Sequence, residues 1–159
     1  MTLRIGQGFD AHPLAGGRPC VLGGIEIDCD SGPVGHSDGD VVLHALADAL
    51  LGASAAGDIG TIFGTSDPKW KGASSSRLVE EVRELTKSPR ILNVDVTIIA
   101  ARPRIAPVQP AIRANIARLL GISEDRVSVK ASSGNGLTDF GRGEGVAASV
   151  VLLIEATGC

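Results

Sequence analysis

The segment HSDGDVVLHALADALLG, residues 36–52, constrains the fold more than any other stretch of the chain. From 40 to 51 nine residues are apolar, and the exceptions, Asp40, His44 and Asp48, recur at every fourth position. That spacing predicts a helix over about 38–51 with one narrow polar stripe. Ser37 followed three residues later by Asp40 reads as a capping box that starts the helix at Asp38, and Gly52 reads as its stop. A helix that is apolar on its other sides is buried. Its polar stripe must then face a metal, a ligand or a partner charge that compensates for lost water.

The rest of the chain supplies enough material for such a core. At 159 residues it fits one domain, 1–159, able to bury about 70% of its unfolded surface. A net charge of −3 lacks the basic face of a general nucleic-acid binder. Three Phe, one Trp and no Tyr leave no base-stacking platform. No apolar run reaches the length of a membrane span, and the first residues carry no signal-peptide apolar region. Cys20, Cys29 and Cys159 match no metal or redox spacing, so free thiols in a reducing compartment, and hence a cytoplasmic protein, are expected.

Leu3 to His12 reads as a strand broken by Pro13, and CVLGGIEI from Cys20 as a hairpin turning at Gly23-Gly24. GDIGTIFGTSDPKWKGASSS, residues 57–76, reads as a long functional loop with a short helical turn. Ser76 is expected to cap a second helix to about Lys87, with Leu78, Val82 and Leu85 inward. NVDVTIIA, 93–100, is a strand. A third helix has Pro110 in its first turn, Ile112, Ile116 and Leu119 inward, and its end at Gly121. Val127 to Ser132 and Val146 to Ala156 are the last strands. This order predicts an α/β (α+β) fold, a mixed sheet with helices on one face. The bare face calls for self-association.

Several short segments carry chemistry. Asp10 and His12 lie on one side of the first strand, about 7 Å apart along the backbone. With His44 they make one carboxylate and two imidazoles, and three protein ligands beside an open position are the usual catalytic zinc arrangement. The plainer alternative pairs Asp10 with a backbone amide and leaves His12 at the surface. All three histidines fall in two short segments, which favours the metal. His36, before the helix start, either binds phosphate at the positive pole or caps the chain. Asp38 reads as structural. Asp40 or Asp48 is expected to orient the free imidazole nitrogen of His44.

Asp58 in GDIG is either a turn residue or a ligand for substrate hydroxyls. Arg102 and Arg104 in ARPRIAP are either solvated or phosphate-binding. KASSGNG, 130–136, suits an anion cradle of amides and hydroxyls. Arg142 and Glu144 in GRGEG share a face; the plain reading is a surface ion pair, and the glycines point instead to crowding.

Taken together, RIGQGFDAH at 4–12, GHSDGDVVLHALADALLGA at 35–53, GDIGTIF at 57–63, NVDVTIIA at 93–100 and GRGEG at 141–145 resemble one family, the 2-C-methyl-D-erythritol 2,4-cyclodiphosphate synthases of the non-mevalonate isoprenoid pathway. The resemblance covers nearly the whole chain. It implies sheets packed around a threefold axis in a homotrimer, with active sites between subunits. It implies a phosphorus–oxygen lyase that closes 4-diphosphocytidyl-2-C-methyl-D-erythritol 2-phosphate to the cyclic diphosphate and releases CMP.

Residue by residue, the resemblance gives Asp10, His12 and His44 to a Zn2+ ion. His36 and Ser37 match the phosphate loop, and Asp58 and Gly60 the pocket for the methylerythritol hydroxyls. Ala100, Pro103, Arg104, Ile105 and Ala106 match the segment that holds the cytidine diphosphate from a neighbouring subunit. Ser132 and Ser133 stand where threonines contact phosphate. Phe9, Arg142 and Glu144 match the lining of an axial channel that holds an isoprenoid diphosphate. Two positions differ. Asn135 stands where the family has an acid ligating a second cation, Mg2+ or Mn2+, that bridges the substrate phosphates. Its neutral carbonyl implies weaker or water-mediated binding. Asp139 stands where an apolar residue lines the axial channel.

Overall fold

A computed structural model describes residues 2–64 and 72–156. Four strands come first: β1 (Thr2–Gly16), β2 (Cys20–Leu22), β3 (Ile25–Ile27) and β4 (Ser31–Pro33). Helices α1 (Val41–Ala53), α2 (Ile59–Phe63) and α3 (Ser75–Leu85) follow. The remainder is β5 (Arg90–Ile99), α4 (Gln109–Leu120), β6 (Val127–Ser132), α5 (Thr138–Gly141) and β7 (Gly145–Ala156). Five strands form one sheet in the order β4-β1-β7-β5-β6, antiparallel except for the parallel β5–β6 pair. The mixed sheet expected from the element order is therefore present.

Alternation along the strands sets the two faces. Val94, Val96 and Ile98 of β5, Val146, Ala148, Val150, Leu152 and Ile154 of β7, and Val127 and Val129 of β6 are buried with the helices. On the other face Leu3, Ile5, Phe9 and Val151 stand exposed. α1 packs across β1 and β7 and is buried along nearly its whole length, as its composition requires. Its contact with β1 is backbone to backbone, because Gly8 and Gly6 lie against the Ala45 and Ala49 carbonyls.

The hairpin turns where expected. Gly23 and Gly24 both adopt positive φ, 61° and 75°, as a two-residue type I′ turn requires. α4 has Pro at its start and ends on a left-handed Gly121, with Ile112, Ile116 and Leu119 buried.

Several local expectations are corrected. β1 continues through Pro13, which sits where the strand exchanges β7 for β4 as its neighbour; its carbonyl still accepts from the Val34 amide at 2.8 Å. α1 begins at Val41 and runs through Gly52, and its cap is Asp40 rather than a Ser37 box. The Asp40 carboxylate accepts from Val42 and Leu43 and also from Gly23 and Gly24 of the hairpin, at 2.6 to 3.1 Å. Two sets of amides converge on it, which a serine hydroxyl could not satisfy. α3 is capped by Ser74, and it buries Leu78, Val79 and Val82 while Leu85 at its last turn is exposed. The short turn expected in the 57–76 loop is α2; residues 65–71 of that loop, and Cys159, lie outside the described residues. Cys20 and Cys29 carry free thiols, and no described helix is long and apolar enough to cross a membrane.

Candidate metal centre

Asp10 and His12 follow Gly6 and Gly8 on the helix side of β1, opposite Ala148 and Val146 of β7. His44 lies in the first turns of α1, on the side that faces β1. The Asp10 Oδ2 atom is 2.8 Å from His44 Nδ1 and 3.1 Å from His12 Nε2. The three ligand atoms all lie within 4.8 Å of one another. A tetrahedral zinc ion at 2.0–2.1 Å from its ligands holds them about 3.3 Å apart. His12 Nε2 is buried and, among the described residues, has no aligned hydrogen-bond partner, although Asp10 Oδ2 is close. An imidazole nitrogen stranded in this way, beside a second imidazole and a carboxylate, fits a zinc-type cation. The plainer alternative for Asp10, a backbone amide partner, gives way to the two histidines.

Electrostatics support the same trio. Burial alone would raise the Asp10 carboxyl, but the polar contacts and charges of His12 and His44 hold it well below the usual carboxylate range. Burial alone would lower His44, yet its bond to Asp10 and the charges of Asp10, Asp40 and Asp38 raise it above the ordinary histidine value. A half-buried anion between two imidazoles is the charge pattern a dication would replace.

A cavity of about 230 Å³ opens on this cluster. His36, Ser37 and Gly60 line it, and Ile59 and Phe63 of the GDIGTIF segment form an apolar wall with Leu78. Ser75, which no motif marked, is buried, and its Oγ lies 2.9 Å from His44 Nε2. Ser37 Oγ lies 3.0 Å from the same nitrogen.

Neither other member of the stripe orients His44. Asp40 caps α1 and latches the hairpin, and burial raises its carboxyl to about 6 against the lowering by its amide donors. Asp48 accepts from the Ile59 amide at 2.9 Å and so ties α2 to α1. Asp58 caps α2; its bonds from the Thr61 amide and hydroxyl hold its carboxyl low, and it is fully exposed. Asp38 accepts from the amide and the hydroxyl of Ser75.

A matching family model, described as the YgbB family, covers residues 3–155. The chain belongs to the YgbB family. A 2-C-methyl-D-erythritol 2,4-cyclodiphosphate synthase from Pelobacter propionicus is 50% identical over 158 residues, 98% of this chain and 100% of that one. A CDP complex of IspF from Plasmodium falciparum has a TM-score of 0.85 at 32% identity, covering 98% of this chain and 97% of that one. The bifunctional IspDF of Campylobacter jejuni has a TM-score of 0.93 at 34% identity; the match covers 98% of this chain and 43% of that longer one. The family membership that the five segments implied is thereby established.

The other candidates of this YgbB-family chain gather at the same end of the sheet but outside the metal cavity. Ala100, Pro103 and Ile105 are buried, whereas Arg104 and Ala106 are exposed. The Ala101 amide donates to the Phe140 carbonyl and Arg102 to that of Gly143, which joins this segment to the GRGEG turn. Ser132 and Ser133 are exposed and bond to the amides of Gly134 and Asn135. Asn135 has a left-handed φ of 50° and is also exposed. Arg142 pairs with Asp139 and, at 3.3 Å, with Glu144. Phe9 and Glu144 are exposed at the surface.

Proposed function

We propose that the chain converts 4-diphosphocytidyl-2-C-methyl-D-erythritol 2-phosphate to 2-C-methyl-D-erythritol 2,4-cyclodiphosphate and CMP, acting as a phosphorus–oxygen lyase. The observation that carries this is the convergence of Asp10, His12 and His44 on one point of a cavity, in a chain matched over nearly its whole length by synthases of that name.

The 2-phosphate attacks the β-phosphorus, and the bond to the CMP oxygen breaks. The attacking group is already anionic at neutral pH, so no strong base is needed; the obstacle is the approach of one anion to another. Asp10, His12 and His44 would hold Zn2+, which supplies Lewis acidity to a phosphoryl oxygen when bound. His36 and Ser37 at the cavity wall would orient the phosphates. Asp58 and Gly60 would take the methylerythritol hydroxyls, with Ile59, Phe63 and Leu78 excluding water. The rate would come from neutralising charge and fixing the attack geometry together.

Ala100, Pro103, Arg104, Ile105, Ala106, Ser132, Ser133 and the Asn135 position, which would take Mg2+ or Mn2+, stay outside the cavity of their own chain. That supports a site completed by a neighbouring subunit, and the exposed Leu3, Ile5, Phe9 and Val151 support a homotrimer covering that face. Phe9, Arg142 and Glu144 would then border the axis, where an isoprenoid diphosphate is the candidate ligand. The test is incubation with the cytidylylated phosphate substrate under zinc and magnesium. A cyclic diphosphate with one CMP per turnover is expected; a linear phosphate would mean that water is the nucleophile and would overturn the proposal.

A further inference from the structure

Two hydroxyls approach one ring nitrogen of His44. Ser75 Oγ lies 2.9 Å and Ser37 Oγ 3.0 Å from Nε2, while Nδ1 faces Asp10. A neutral imidazole that gives its Nδ1 lone pair to a metal carries a single proton, on Nε2. One proton makes one strong hydrogen bond, so the two hydroxyls are not equivalent.

Their surroundings decide between them. Ser75 is 1% exposed. Its own hydroxyl proton is committed to Asp38 Oδ1, and its amide donates to Asp38 Oδ2 at 2.9 Å. With that proton spent, the Ser75 lone pairs point to His44. Asp38 is itself held, by the Asp40 amide at 3.2 Å. Among the described residues Ser37 has no comparable anchor: it lines the cavity, and the Gly39 amide reaches its Oγ only at 3.4 Å.

We infer that Ser75 and Asp38 form the fixed hydrogen-bond chain that orients His44 for the metal, leaving the Ser37 hydroxyl free to turn to a substrate phosphate. The chain runs from His44 Nε2–H to Ser75 Oγ, and from Ser75 O–H to the Asp38 carboxylate. A carboxylate at its far end makes the imidazole a better donor to the cation, as outer partners of ligating histidines commonly do. Ser75 and Asp38 are positioning residues, because they act through His44. The inference rests on the metal reading above.

Zinc affinity of the full-length protein, read by competition with a chelating indicator, tests it together with the visible spectrum of the Co2+-loaded form. Ser75→Ala is expected to weaken zinc about 10- to 100-fold and to change the Co2+ bands, and Ser75→Thr to restore both. Asp38→Asn, which keeps the shape but loses the charge, falls between. Ser37→Ala is expected to bind zinc like the wild type while raising KM for the phosphate substrate. Unchanged zinc affinity in Ser75→Ala, or a loss in Ser37→Ala instead, overturns the inference and leaves the metal centre standing. If Ser75→Ala fails to fold, Asp38→Asn decides, and unchanged affinity there overturns it equally. A wild-type protein that takes up no zinc overturns the metal reading itself.

Discussion

Gly8 and Ala45 set the distance between the sheet and the helix that carries His44. A Cβ on Gly8 would stand 1.9 Å from the Ala45 carbonyl oxygen. Asp10 is two residues along the same face of β1, and His44 directly precedes Ala45. The backbone contact therefore brings the Asp10 carboxylate within 2.8 Å of the His44 ring. Gly8→Ala is expected to push α1 off β1, at the upper end of the range for overpacking, about 3 kcal/mol. Urea unfolding should show that loss, and the folded fraction should bind zinc poorly. A variant with wild-type metal content would show that β1 and α1 can shift apart without parting the ligands.

His44→Ala is expected to lose zinc and turnover while keeping its far-UV circular dichroism. The helix is held by the Asp40 cap and by its apolar sides, neither of which needs the imidazole. Full zinc occupancy in the variant would remove His44 from the ligand set.

The raised His44 value gives the metal-free protein a signed pH dependence. The stabilisation from its proton is complete below the ordinary value of 6.5 and is lost as pH climbs through the higher folded-state value. The metal-free Tm should therefore fall as pH rises above 6.5. Zinc competes with that same proton, so zinc affinity should rise over the same window. Calorimetry at stepped pH, with and without zinc, checks both, and a flat metal-free Tm would contradict the His44–Asp10 pairing.

Asn135→Glu is expected to lower the Mg2+ concentration needed for half-maximal rate, because a charged ligand replaces a neutral carbonyl. Position 135 has a φ of 50°, which asparagine tolerates better than glutamate, so a cost of about 1 kcal/mol in stability should accompany the gain. A magnesium titration that does not shift would remove residue 135 from the second-cation site.

Ile5→Glu places a charge at the centre of the exposed apolar face, where Ile5 is 71% exposed in the single chain. If that face is buried between subunits, sedimentation should show the trimer replaced by monomer, with activity lost alongside. A trimer of unchanged mass would move the interface elsewhere.

Asp40, His44 and Asp48 are indistinguishable as a stripe, yet each does something different. Asp40 closes the helix and holds Gly23 and Gly24, His44 faces Asp10, and Asp48 holds Ile59. Ser75 stood in a run of serines with nothing to separate it from Ser74 and Ser76, of which only Ser74 caps α3. The clustering of Asp10, His12 and His44, by contrast, was legible, because alternation aligns Asp10 with His12 and histidine is scarce.

What the amino-acid order determined by itself was periodic and local: which helix is buried, where α4 and the hairpin begin and end, which strand positions share a face. These depend on repeats of two and 3.6 residues and on glycine and proline backbones, which act within a few positions. What only tertiary structure decided was which distant group meets each polar side chain, as with Ser75 at His44 or Gly8 at Ala45. Such pairs lie more than thirty residues apart. No local pattern encodes them, because they exist only once the apolar faces have packed and set the backbones at contact distance.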